Sequence, residues 1–135
     1  MKFLPLILAT TLLAGCGAKT SDEDQVRALI DAVEAAAEDR DASDVLTHVD
    51  DTYADSAGLD KTQLQNFLRG YFLAHPKLEL LVNIESLDFP VDGLAQAVVS
   101  VTTVELTDPD LVRLRVEFRR VNGDWKVVRA DREAR

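Results

Sequence analysis

Arg129 and Asp131 are the two residues whose types and spacing most invite chemistry. They flank Ala130 in the run Trp125-Lys126-Val127-Val128-Arg129-Ala130-Asp131, which reads as a strand. A period of two puts both on one face together with Trp125. A guanidinium beside a carboxylate can form an ion pair, hold a polar group of a ligand or take part in proton transfer. Two charges on a greasy face are costly to bury unpaired. Either they line the mouth of a pocket, or the strand runs past the edge of the core and both reach water. A bulge near Val128 would exchange the faces and remove the conflict. Tyr53 and Tyr71 are the hydrogen-bond donors that could join them. With Trp125 as an aromatic wall, Arg129, Asp131, Tyr53, Tyr71 and Trp125 form the set of candidate ligand-binding residues.

Other chemistries have little to stand on. The chain has two histidines, His48 and His75, and one cysteine, Cys16. His75 precedes Pro76 at an apparent helix end, where a solvated cap is the simpler reading. No G-x-S-x-G, H-E-x-x-H, phosphate loop or cysteine pair occurs, and scattered histidines do not make a zinc site. Asp22, Glu23 and Asp24 fall in a first helical turn, where carboxylates suit the macrodipole, and their spacing is not that of a calcium loop. No catalytic residue, metal or cofactor is assigned. The formal net charge of −9 argues against nucleic acid as a partner, since no basic stripe offsets phosphate repulsion.

The elements that must position these residues are legible as patterns. Thr20 with Glu23 resembles a capping box, and Val26, Leu29, Ile30 and Val33 follow at i, i+3, i+4 and i+7, predicting a helix over Ser21 to Glu38. A short helix is expected from Ser43 to Val49. Asp50 to Tyr53 reads as an edge strand or an irregular corner. Asp60 and Gln63 cap a third helix striped by Leu64, Phe67, Leu68, Tyr71 and Phe72 and stopped by Pro76. Then alternation takes over. Leu78 to Ile84 keep one parity, and Leu87 and Phe89 the other, predicting a bulge near Glu85 to Leu87. Asp92-Gly93 turns into a strand with Ala95, Ala97, Val99 and Val101 on one face. Thr107 to Asp110 connect to a closing hairpin, Leu111 to Arg132, whose Asn122-Gly123 suits a type I′ turn. That turn pairs Val121 with Asp124, Phe118 with Val127, Val116 with Arg129 and Leu114 with Asp131. Arg113, Arg115 and Arg119 are expected near Glu79 and Glu85 on the outer face.

The beginning of the chain speaks to location. Lys2 is followed by an apolar run, Phe3 to Leu13, too short to span a bilayer permanently. Leu13-Ala14-Gly15-Cys16 resembles the bacterial lipoprotein signal, the lipobox. The resemblance implies a signal peptide over residues 1–15, cleavage before Cys16, lipid on the Cys16 sulfur, and usually acylation of the new N-terminus. Residues 16–21 would be a lipidated tether and 22–135 the domain. Gly17 rather than aspartate after the cysteine is similar to the pattern that sorts lipoproteins to the outer membrane, facing the periplasm. The membrane is then a partner through lipidated Cys16.

Helix, short helix, corner, aromatic-striped helix and four long strands, closed by Gly123-x-Trp125-x-Val127 and with His75-Pro76 just before the sheet, resemble the NTF2-like superfamily, the SnoaL-like and cystatin-like cone. The resemblance covers about Ser21 to Glu133. It implies an α+β fold with N-terminal helices on a curved, mostly antiparallel four-stranded sheet, a cavity between helix and sheet, and an outer sheet face through which a homodimer can form. The superfamily holds isomerases, cyclases, epoxide hydrolases and many lipoproteins with no assigned role. The first long helix lacks the tyrosine of the isomerase pattern. Arg129-x-Asp131 is similar to part of the epoxide-hydrolase pattern, with Asp50 or Asp51 the only guess for its further carboxylate. The preferred expectation is a non-enzymatic binding module for a small ligand or a protein. The alternative is a SnoaL-like or epoxide-hydrolase-like enzyme acting on a small apolar substrate.

Overall fold

The computed structural model describes residues 20–104 and 109–134. Cys16, the leader, Gly17 to Lys19 of the tether and the Thr107-Asp108 part of the last connection lie outside the described residues. Three helices, α1 (Asp22–Glu38), α2 (Ala42–Thr47) and α3 (Lys61–Ala74), precede four strands, β1 (Leu80–Asp88), β2 (Leu94–Thr103), β3 (Asp110–Val121) and β4 (Asp124–Arg132). The strands form one antiparallel sheet in chain order, β1-β2-β3-β4.

Each helix begins on a side chain that satisfies an orphan N–H. Ser21, not Thr20, caps α1, accepting from the Asp24 N–H at 3.1 Å. Asp41 caps α2, which starts one residue before the expected Ser43 and stops short of Val49. Asp60 and Gln63 form a reciprocal capping box on α3. α1 closes in a Schellman arrangement: Asp41 N–H donates to Ala36 O at 3.0 Å and Arg40 N–H to Ala37 O at 2.9 Å. That places Arg40 at φ 55, a left-handed position usually given to glycine.

The core lies between the inner sheet face and the helices. Val26, Leu29 and Ile30 of α1, Val45 and Leu46 of α2 and Phe72 of α3 meet Ala95, Ala97, Val99, Val116, Phe118, Trp125 and Val127. The α3 stripe is only partly interior: Leu64, Leu68 and Tyr71 pack against the core, whereas Phe67 is 57 % exposed.

Two bulges set the sheet register. In β1, pairing steps from Ile84↔Val99 to Ser86↔Val98, which leaves Glu85 without a partner and accounts for the parity change. In β4, Phe118 pairs with Val127 and Val121 with Asp124 as the turn dictates, but pairing then shifts: Glu117 meets Arg129, Val116 meets Ala130 and Arg115 meets Asp131. Val128 is the inserted residue. The expected pairs Val116 with Arg129 and Leu114 with Asp131 are therefore replaced. Ala130 now takes the inner face, and both charges move to the outer one, where solvent reaches them. Asn122 at φ 50 and Gly123 at φ 84 make the turn.

One end of the domain gathers the start of α1, the β1–β2 turn and the β3–β4 turn. Arg120 holds them together, donating to Asp22 at 2.7 Å and to Asp92 at 3.3 Å, with its guanidinium carbon 5.0 Å from the centre of the Trp125 ring. Trp125 Nε1 donates to the other Asp22 oxygen at 3.3 Å, and Phe89 meets the indole edge-on at 5.9 Å.

Candidate functional site

The structure brings three of the five candidate residues together, at the outer edge of β4. Segment 48–56 runs along that edge. Val127 N–H donates to His48 O at 2.8 Å, Asp50 N–H to Val127 O at 2.9 Å, and Ala54 N–H to Val128 O at 3.3 Å. Beyond these backbone bonds the side chains take over. Asp131 forms an ion pair with Arg129 through one oxygen and accepts the Ser56 N–H through the other at 2.7 Å. Burial pushes the Asp131 carboxyl up, but the Ser56 N–H and Arg129 outweigh it and hold the group below its ordinary value. Tyr53 is buried, and its hydroxyl donates to Asp55 at 2.7 Å, with Ala130 O at 3.4 Å as a second acceptor. Burial and the Asp55 carboxylate push the Tyr53 hydroxyl well above its ordinary value. Asp55 in turn accepts the Ala57 and Leu59 N–H groups at 2.9 and 3.0 Å.

This cluster is a clamp on a loop. A carboxylate held ionised makes a poor general base, because proton transfer is best served near the working pH. A phenol already donating to a carboxylate is not aimed at a substrate oxygen. Asp50 and Asp51, the guesses for a further carboxylate, are engaged by Thr52 and Lys61.

The other two candidates lie elsewhere. Trp125 belongs to the end held by Arg120 and Asp22. Tyr71 sits on α3 with its ring stacked on His75 at 4.1 Å, and the His75 ring nitrogen lies 2.8 Å from the Tyr71 carbonyl oxygen at the helix C-cap. None of the five faces the apolar cavity described next. Among the described residues no cluster of His, Cys, Asp and Glu is placed to hold a metal ion.

That cavity, of about 220 Å³, lies between α1 and the inner sheet face. Its helical wall is α1, not the aromatic-striped α3. Its floor is buried: Ile30, Val99, Val116, Phe118 and Val127. Its rim is half-buried: Glu34 and Ala37 of α1, Leu80 and Val82 of β1, Val101 of β2 and Leu114 of β3. The origin is a difference in side-chain volume along the inner face. Phe118 and Trp125 fill the end near the turns. Towards the start of β1 and β3 only Leu and Val project, and Ala37 faces them from α1, so helix and sheet do not close on each other. The surface facing the cavity is almost wholly hydrocarbon, and Glu34, the one charged residue among those that line it, meets it through its aliphatic stem. Burial pushes the Glu34 carboxyl up from its ordinary value, and Glu38 and Asp31 act in the same direction.

Sequence reasoning missed Glu34. Its signal was present: it sits four residues after Ile30 and one after Val33, beside the stripe that packs on the sheet.

No protein-family model matches this chain, and no curated protein matches it. Solved structures match it in shape. A protein from Thiobacillus denitrificans described as a calcium/calmodulin-dependent protein kinase type II association domain superposes with a TM-score of 0.68 at 20% identity, over 78% of this chain and 91% of that one. An NTF2-like protein of unknown function from Shewanella oneidensis gives 0.68 at 14% identity, over 84% of this chain and 100% of that one. A domain of unknown function with a cystatin-like fold from Nostoc punctiforme gives 0.72 at 14% identity, over 87% and 79%. The fold is therefore the NTF2-like cone, with helices packed on a curved antiparallel sheet.

Proposed function

We propose that this protein is a lipid-anchored binding module of the bacterial cell envelope that holds a small apolar ligand between α1 and the sheet. The observation that carries the reading is the cavity of about 220 Å³ with hydrocarbon walls and one acidic residue, Glu34, among those that line it. Small-molecule sites have this character, mostly apolar with few polar groups to fix orientation. The edge cluster of Arg129, Asp131 and Tyr53 is closed on itself and argues for binding without turnover.

The anchor is proposed from Leu13-Ala14-Gly15-Cys16, with the outer membrane facing the periplasm as its place. Cys16 lies only four residues before Thr20, so the domain would hang close to the bilayer. Cys16→Ser should move the protein from the membrane to the soluble fraction and abolish incorporation of labelled palmitate. A membrane-bound, labelled Cys16→Ser protein would reject the anchor.

For the cavity, hexanol titrated into the purified protein should shift the NMR signals of Val82, Val99 and Val116. Val101→Phe, which fills the mouth, should remove the response. Unchanged hexanol binding in that variant would place the ligand elsewhere.

A second reading, self-association through the outer sheet face, is favoured by Leu81, which lies on that face and is 63 % exposed. The likeness to a protein described as an association domain points the same way. Sedimentation velocity distinguishes a monomer from a dimer, and Leu81→Glu should dissociate a dimer formed there.

A further inference from the structure

The geometry points to a ligand with a cationic head group: we propose that the cavity takes a small amphiphile whose protonated amine meets Glu34 while its hydrocarbon tail fills the space between α1 and the sheet. The inference rests on the cavity being a binding site and goes on to name the ligand class.

Three observations support it. Glu34 is the one charged residue on the lining. It sits on the rim, where a tail can lie inward against Val99 and Val116 while a head group stays at the level of water. Among the described residues no Lys or Arg forms a salt bridge with it, although Arg27 on the same helix pairs with Glu23. Across the opening, Leu80, Val82, Val101 and Leu114 offer no charge of either sign. The groups acting on Glu34 are Asp31 and Glu38, one helical turn to either side, and both are acidic. A carboxylate in that position carries a partial desolvation cost and two like-charge repulsions, and no cation among the described residues pairs with it. An ammonium group at the rim would relieve all three and form a charge-assisted hydrogen bond. A carboxylate head group of the same length would meet the repulsion instead.

The test compares hexylammonium, hexanol and hexanoate by calorimetry on the purified protein at neutral pH and low salt. Hexylammonium should bind about tenfold tighter than hexanol, and hexanoate weaker than either. Glu34→Gln should bring hexylammonium to the level of hexanol and leave hexanol unchanged. Asp31→Asn, which removes a neighbouring charge but no rim group, should cost the amine much less than Glu34→Gln. Hexanoate binding as tightly as hexylammonium would overturn the head-group inference while the cavity reading stands. So would an amine affinity untouched by Glu34→Gln, or one reduced equally by Asp31→Asn. Failure of hexanol itself to bind would remove the cavity reading and this inference with it.

Discussion

The Asp131 carboxylate has one oxygen on Arg129 and the other on the Ser56 N–H. Its folded-state pKa is depressed, so its contribution to stability is present above the ordinary carboxyl value and is lost as pH falls through the folded value. Asp131→Ala should cost about 1–2 kcal/mol at pH 7, with the Ser56 N–H left without its acceptor. The gap between wild type and variant should begin to close below about pH 4 and narrow further as the pH falls through the depressed value. Urea unfolding at pH 7 and at pH 3 would measure both. Tyr53→Phe should cost about 1 kcal/mol, since one neutral-to-charged hydrogen bond is lost while Asp55 keeps its two backbone donors. The same urea curves would show it, and a neutral outcome would mean the hydroxyl does little for the loop. At this scale the sequence identified the right conflict at Arg129 and Asp131 but left their face open, because one inserted residue reverses the parity of everything after it.

Among the elements, β4 and the end of α1 make opposite use of local rules. In β4 the bulge at Val128 keeps Trp125 and Val127 inward and then returns Ala130 to the core, so neither charge is buried. Deleting Val128 should restore regular alternation while keeping the same pairs, Arg129 with Glu117 and Ala130 with Val116, so both charges stay on the outer face. The variant should fold, with an unchanged circular dichroism spectrum, and lose about 1 kcal/mol in thermal melting, because the Val128 carbonyl no longer accepts the Ala54 N–H. A deletion variant that fails to fold would mean that the bulge shapes the strand edge as well as setting its parity. At the end of α1, Arg40 adopts φ 55, where a side chain is disfavoured. Arg40→Gly should stabilise by about 0.5–1 kcal/mol, seen as a higher Tm, because both Schellman hydrogen bonds are backbone-made and survive the change. Helix stripes, the Asp60–Gln63 box, the β1 bulge and the Asn122-Gly123 turn were all legible, since each is a local pattern with a local cause. Cap positions and strand starts moved by a residue or two, because neighbouring side chains such as Thr20 and Ser21 compete for the same orphan donors.

Across the whole molecule, helices and sheet are joined firmly at one end and loosely at the other. Arg120 ties α1 to both turns and covers Trp125, the one tryptophan in the chain. Arg120→Ala should therefore shift the tryptophan emission to the red and lower the Tm, the part-buried contact with Asp22, the exposed one with Asp92 and one cation–π contact being lost together. Unchanged emission would mean the core and Phe89 shield the indole without Arg120. The position and lining of the cavity at the far end were not legible, because a void is a shortfall summed over one helix and three strands and no single residue announces it. Its mouth is at the level of Glu34, twelve residues along α1 from Asp22, or about 18 Å up the helix. A chain hung by its amino end from a lipid leaflet would thus present its opening outward, on the side remote from the acyl layer. Cargo would have to arrive through the aqueous compartment or from another protein's hand, and a molecule dissolved in the leaflet beneath would find no direct way in.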